Sequence, residues 1–378
     1  MLQKHSLPRF ATLCTLALAF ASPFAHADSF TQTNLVSDIP GKANTTDPNL
    51  INPWGVSFNA TSPFWTANQG TGTATLFDGA GNINPLVVSI PGSTTGAPPT
   101  GPTGTVFNTG TGFTLTNGGS ALFVFDTLNG TIVGWNGGSG TNGQVVATTA
   151  GAVFTGLAQA SNGTATLLYA ANSAPGGGID VFDSSWAPKT VSGGFVDPNL
   201  PAGFVPFNIQ AIGGNLYVTY AQLGPGGAPM PGGFVDEYDA NGNLLHRIAS
   251  GGPLFAPWGV VIAPAGFGSL ANDILIGNFG NGEILAYDPN TFAFVSTLDG
   301  SDGQPIINDH LWALTTRTGG ANNNTSAVYF TAGINDEKDG LFGELTSAVP
   351  EPSTIVGTAS GMLALALTKL RGKLARRS

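Results

Sequence analysis

Thiols are almost missing from this chain. Its one cysteine is Cys14, inside an N-terminal stretch that reads as removable, so the remainder can build neither a disulfide framework nor a thiolate metal site. Stability has to come from packing and from closing sheet edges. Cationic side chains are nearly as scarce: between residues 28 and 348 five Lys and Arg face 21 Asp and Glu, a net charge of −16. A phosphate backbone would be repelled by that charge, and no nucleic-acid partner is expected. Only His246 and His310 lie beyond residue 27, too few for a multi-histidine metal centre. Neither a Gly-x-Ser-x-Gly elbow nor a Walker-type phosphate loop occurs. Long helix-forming windows are lacking too, because 55 Gly and 26 Pro punctuate short runs of Val, Phe, Leu and Ile. The chain reads as all-β.

Two terminal segments stand apart from the rest. Residues 1–27 carry a basic start (Lys4, Arg9), an apolar run over 10–20 and the small-x-small triplet Ala25-His26-Ala27. That layout is a secretory signal, cut by signal peptidase after Ala27. At the other end Val349-Pro350-Glu351-Pro352-Ser353-Thr354 precedes an apolar run over 355–367 and a basic cluster over 369–377. The three parts in this order resemble a PEP-CTERM sorting signal of exported bacterial proteins. The resemblance implies removal of the tail by an exosortase-type membrane protease and delivery to the cell surface or its exopolysaccharide. Positive charge after an apolar segment is held on the cytoplasmic side, so the tail also reads as a transient membrane anchor, although the run is shorter than the ~20 residues that usually span a bilayer. The expected organisation is a signal over 1–27, a domain over 28–348, and a sorting tail with an apolar helix over 349–378.

The middle is built of repeats. A glycine followed by an apolar strand that ends in an aromatic and an Asp or Asn recurs at Phe77-Asp78, Trp135-Asn136, Phe182-Asp183, Tyr238-Asp239 and Tyr287-Asp288, with a degenerate sixth copy near Leu345. Two further apolar runs precede each copy and a fourth follows most of them. Pro53-Trp54-Gly55-Val56 and Pro257-Trp258-Gly259-Val260 are nearly identical first-strand runs. Four short strands repeated about every fifty residues define a six-bladed β-propeller of four-stranded antiparallel blades. The last unit runs straight into the tail, so the strand near 30–39 is expected to complete it and close the ring. Trp54, Trp258 and Trp312 read as packing between blades. Asn34 to Asp38 and Asp47 to Val56 are similar to an uncharacterised bacterial group of NHL/YVTN-type propellers, which brings no established activity with it.

In such a ring, loops entering the first strand and leaving the second share one face around the central channel, where function usually sits. Asn68, Asp126, Asn172, Tyr220 and Asn278 end the second strands there, and Asp309 and His310 precede the last first strand. Oxygen donors of this kind suit calcium, with Asn172 and Asn278 as its ligands, or else they merely close turns. Asp239 to Asn243 begins like a calcium loop but reads as a hairpin, and Asp336, Glu337 and Asp339 read as a solvated acidic loop. Two functions remain. The first is a surface-displayed binding module for a glycan, matrix component or protein. The second is a calcium-dependent hydrolase or lyase, lactonase-like, with Asp309 or His310 as general base.

Overall fold

The computed structural model describes residues 29–92 and 100–348. The signal segment with Ala25 and Ala27 and the tail with Pro350, Glu351 and Pro352 lie outside the described residues. Among the described residues no helix is long and apolar enough to cross a membrane.

The chain enters on β1 (Phe30–Ser37) and a two-residue strand, β2 (Thr45–Thr46). The first blade follows as β3 (Pro53–Ser57), β4 (Phe64–Asn68), β5 (Thr73–Phe77) and β6 (Ile83–Ser89), the second as β7 (Pro102–Phe107), β8 (Phe123–Thr127), β9 (Thr131–Trp135) and β10 (Gln144–Thr148). The third has β11 (Phe154–Ser161), β12 (Thr166–Asn172) and β13 (Ile179–Phe182), and the fourth β14 (Val205–Ile212), β15 (Asn215–Ala221), β16 (Phe234–Tyr238) and β17 (Leu244–Ser250). The fifth holds β18 (Pro257–Ile262), β19 (Ile274–Asn278), β20 (Ile284–Tyr287) and β21 (Phe294–Thr297), and the sixth β22 (Leu311–Thr315), β23 (Val328–Ala332) and β24 (Leu341–Ser347). β1 pairs antiparallel with β24 from Phe30 opposite Ser347 to Ser37 opposite Leu341. The N-terminal strand therefore closes the ring as the repeat count implies, and β2 adds a short parallel edge outside it.

Second- and third-strand aromatics fill seams between blades. Trp65 stacks on Phe123 at 4.2 Å and lies 4.7 Å from Trp135, joining blades one and two, and Phe77 and Phe64 pack on Phe342 across the closing seam. First strands approach so closely at the axis that side chains do not fit between them. A Cβ on Gly104 would lie 2.4 Å from Leu157 N, and one on Gly259 would lie 2.5 Å from Trp312 O. In blades one, two, three and five the residue after the leading one is glycine for this reason, whereas blades four and six carry Asn208 and Ala313 there.

Blade three departs from the four-strand plan. Pro188 stands where its outer strand would begin, making one bridge to Phe182, and Lys189 N donates to Val181 O at 2.8 Å. Proline has no N–H to continue the ladder. The chain then turns inward, and Val191 and Phe195 bury themselves beside Tyr169 and Tyr238 in the seam with blade four.

Candidate functional site

The second strands do end on the face where the first strands begin, but their terminal residues are spent on local bonds. Asn172 Oδ1 accepts from the Val153 and Ala174 amides at 3.1 and 3.2 Å. Asn278 Oδ1 accepts from Phe255 N at 3.0 Å, while its Nδ2 donates to Pro253 O at 2.9 Å. Asn68 donates to Thr75 Oγ1, and the Tyr220 hydroxyl bonds that of Tyr238 at 2.8 Å. Asp126 accepts from Thr103 Oγ1 at 2.8 Å and Gly104 N at 2.6 Å. All five are buried. The expected calcium ligands Asn172 and Asn278 are therefore loop ties, each fastening the segment that enters the first strand of its own blade. Among the described residues no three His, Cys, Asp or Glu side chains are grouped to hold a metal ion. Asn278→Ala is expected to cost about 1–3 kcal/mol, because it strands a buried amide. Thermal melts should show the same loss in calcium and in chelator, and a loss confined to calcium would restore the cation reading.

What occupies the axis on that face is aromatic. Trp54, Phe207, Trp258 and Trp312 lead the first strands of blades one, four, five and six, and Phe279 joins them from the loop after β19. Trp54 stacks on Trp312 at 3.5 Å, Phe279 stacks on the other side of Trp312 at 4.2 Å, and Trp54 meets Trp258 edge-on at 6.3 Å. The Trp312 indole donates to Asn52 Oδ1 and that of Trp258 to Thr155 O, both at 2.9 Å. Blades two and three place Thr103 and Thr155 at the same register, both buried. The tryptophans are core, but the packing runs across the axis and not only between neighbouring blades. They plug the channel at the face expected to be its functional mouth.

Asp309 and His310 stand above this plug. His310 takes a left-handed backbone, φ 48°, its ring edge-on to Phe279 at 4.7 Å, and its Nδ1 lies 2.8 Å from Asp309 Oδ1 without the alignment of a hydrogen bond. Of the three acids expected to be solvated, Asp336 is exposed, Asp339 is half-buried and Glu337 is turned inward. Asn335, Asp336 and Glu337 form a left-handed turn, with φ of 58°, 54° and 62°. The turn carries the Glu337 carboxylate inward to Asn52 Nδ2 at 3.2 Å. Burial raises the Glu337 pKa, opposed by that hydrogen bond and by His310. The group braces Asn52 and, through it, the Trp312 indole.

On the other side of the plug the channel widens into a chamber of about 250 Å³, lined by first strands of all six blades. Burial falls towards the C-terminal end of β7, β11, β14 and β18, so the chamber opens on the face opposite the expected one. Its polar groups are Ser57, Thr105, Thr109, Gln159, Asn208, Gln210 and Thr315, set among Val56, Phe58, Phe107, Leu157 and Trp258. Among the described residues no charged side chain lines it. Ser57 and Thr105 share a 2.9 Å hydroxyl bond, and Gln159 is held by the Thr109 amide at 2.8 Å. Gln210 reaches from blade four past blade five to Leu314 O in blade six, at a long 3.4 Å. The sequence pointed to Val56 and Trp258 as parts of first-strand runs, and to none of these residues as a site. The available signal was the repeat register itself, since residues one to four places after each leading Trp, Thr or Phe must surround the axis.

Fold and geometry define the class: a six-bladed β-propeller with a channel plugged at one end and open at the other. No family model matches the sequence. Uncharacterized protein R648 of Acanthamoeba polyphaga mimivirus is 32% identical over 335 residues, covering 82% of this chain and 78% of that protein. Uncharacterized protein L690 of the same virus is 29% identical over 361 residues, 89% of this chain and 92% of that one. The chain belongs to the family of R648. Among solved structures it is similar to a glucose dehydrogenase, with TM-score 0.52, 12% identity, and coverage of 84% of this chain and 99% of that one. It is also similar to the PQQ-bound aldose sugar dehydrogenase of Streptomyces coelicolor, with TM-score 0.51, 12% identity and coverage of 85% and 99%. At these identities the likeness is one of fold.

Proposed function

We propose that this protein is an exported binding propeller that takes a small neutral, hydroxyl-bearing ligand in the open chamber of its channel. The observation that carries this is the lining: amides, hydroxyls and aromatic faces with no ionised side chain. Such a surface offers donors and acceptors to sugar hydroxyls, and apolar area to sugar ring faces, without the desolvation cost of burying a charge. A signal over 1–27 and a PEP-CTERM-like tail would place that chamber outside the cell, with exosortase-type processing releasing or transferring the protein into a glycan-rich layer. Both segments belong to this proposal.

The hydrolase or lyase alternative draws on His310 and Asp309, the imidazole and carboxylate beside the channel axis. They stand beyond the aromatic plug from the chamber, so a ligand there has no general base within reach. Isothermal titration of the protein with a panel of neutral oligosaccharides, repeated on Gln210→Ala, tests the reading. Binding should weaken about three- to tenfold in the variant, the worth of one hydrogen bond. A panel without a binder, together with a hydrolytic activity that His310→Ala removes, would overturn it in favour of catalysis.

A further inference from the structure

The chamber does not stand alone. A second space of about 250 Å³ adjoins it, and the two share Phe58, Gln210, Ala211 and Thr315. The second space extends sideways over Ile212, Val261, Ile262 and Thr316, across blades four to six, and it too has no charged lining. Gln210 stands at the boundary, its single described bond long enough to be exchanged for a ligand oxygen. At the inner end the way is shut: Trp312, Phe207 and Trp258 are 1%, 2% and 3% exposed. A chain therefore cannot thread the ring.

From this blind two-compartment shape we infer that the site recognises the end of a neutral glycan chain, with the terminal unit in the chamber and the next unit in the lateral vestibule. This rests on the neutral-ligand reading above and narrows it. A chamber smaller than the ~300 Å³ floor of ordinary drug-sized pockets accommodates one sugar-sized unit and not several. Phe58, shared by both compartments and held by Arg317 over its ring at 4.8 Å, offers apolar area at the joint between the units. An internal stretch of a polymer presents no end to insert, and a ring-shaped oligosaccharide has none.

The test is isothermal titration of the full chain with linear neutral glucan, mannan, galactan and xylan oligosaccharides of one to six units. Parallel samples carry a bulky cap on one or the other end, and cyclic glucans serve as endless controls. Affinity should rise about tenfold from one unit to two and then level off. One of the two caps should abolish binding, and the cyclic forms should not bind. Thr316→Trp, which narrows the vestibule alone, should bring the two-unit affinity down to that of one unit. Ile212→Asp provides a second vestibule change, and both variants are checked for an unchanged melting profile. Affinity that keeps climbing with length, or equal binding of capped and cyclic forms, would overturn end recognition while leaving neutral-ligand binding intact. Absence of binding across the whole panel would overturn both.

Discussion

Trp312→Ala is expected to lower the free energy of unfolding by about 3–5 kcal/mol, the range for deleting a fully buried aromatic side chain. Trp312 is the central member of the plug: Trp54 and Phe279 stack on it, Phe207 and Trp258 border it, and its indole N–H is tied to Asn52. Its removal empties the axis, strands the Asn52 carbonyl and leaves blades one, five and six without their common contact. Phenylalanine at this position keeps much of the ring area but loses the Asn52 bond, so a smaller loss is expected there. Equilibrium denaturation in guanidinium measures both. A loss below about 1 kcal/mol for the alanine variant would mean that the plug relaxes to fill the space and does not set ring stability. Where Trp312→Ala still folds, the proposed end recognition predicts weaker discrimination against capped or internal glycan segments, measured by the same titration.

Stability should fall as pH rises between about 4 and 6, the reverse of ordinary acid denaturation. Asp126 is the main cause. Burial pushes its carboxyl from the usual 3.8 up to about 6, against the opposing hydrogen bonds from Thr103 and Gly104. In that window the folded state holds a proton that the unfolded state has released. The folded state therefore binds more protons, and stability is lost as pH climbs through the folded pKa. A shift of roughly two units corresponds to about 3 kcal/mol. Asp236 adds in the same direction, its carboxyl also pushed up to about 6 by burial despite the Arg247 guanidinium. Asp78, Asp183, Asp239 and Asp288 are shifted the other way by turn hydrogen bonds, so their contribution is lost as pH drops below about 4. A stability maximum on the acid side of neutrality follows. Asp126→Asn keeps an acceptor for Thr103 and Gly104 and has no proton to lose. Its melting temperature should vary markedly less between pH 4.5 and 7.5 than that of the native chain, and equal slopes would show that Asp126 does not titrate in this range.

Blade architecture was legible because its signals are local. A short apolar strand, a turn such as Asp239 to Asn243 and an aromatic at the strand end are each specified within a few residues. That turn is the hairpin it looked like, with Asp239 Oδ1 accepting from the Asn241 and Asn243 amides. The closing role of β1 followed from counting strands, since most units had an outer run of their own and the sixth ran straight into the tail. The candidate site was not legible in the same way. Asn172 and Asn278 have the same sequence context whether they face a shared cation or their own loops, and only the direction of the side chain separates the two. Glu337 looked solvated because neighbouring acids usually are. A left-handed turn, which few non-glycine residues adopt, carried it inward to Asn52.

The sequence by itself determined that this chain forms six sheets of short strands, that the first and last strands of the domain meet in one blade, and that the domain is acidic and free of thiols. Those properties follow from composition and from patterns no longer than a hairpin. Only the tertiary structure decided which end of the channel is open. Six copies of one register, some fifty residues apart in sequence, converge within a side chain's reach of a common axis. Whether they leave a mouth or a plug depends on the summed size of Trp54, Thr103, Thr155, Phe207, Trp258 and Trp312. That sum is a property of the ring, and no single repeat contains it.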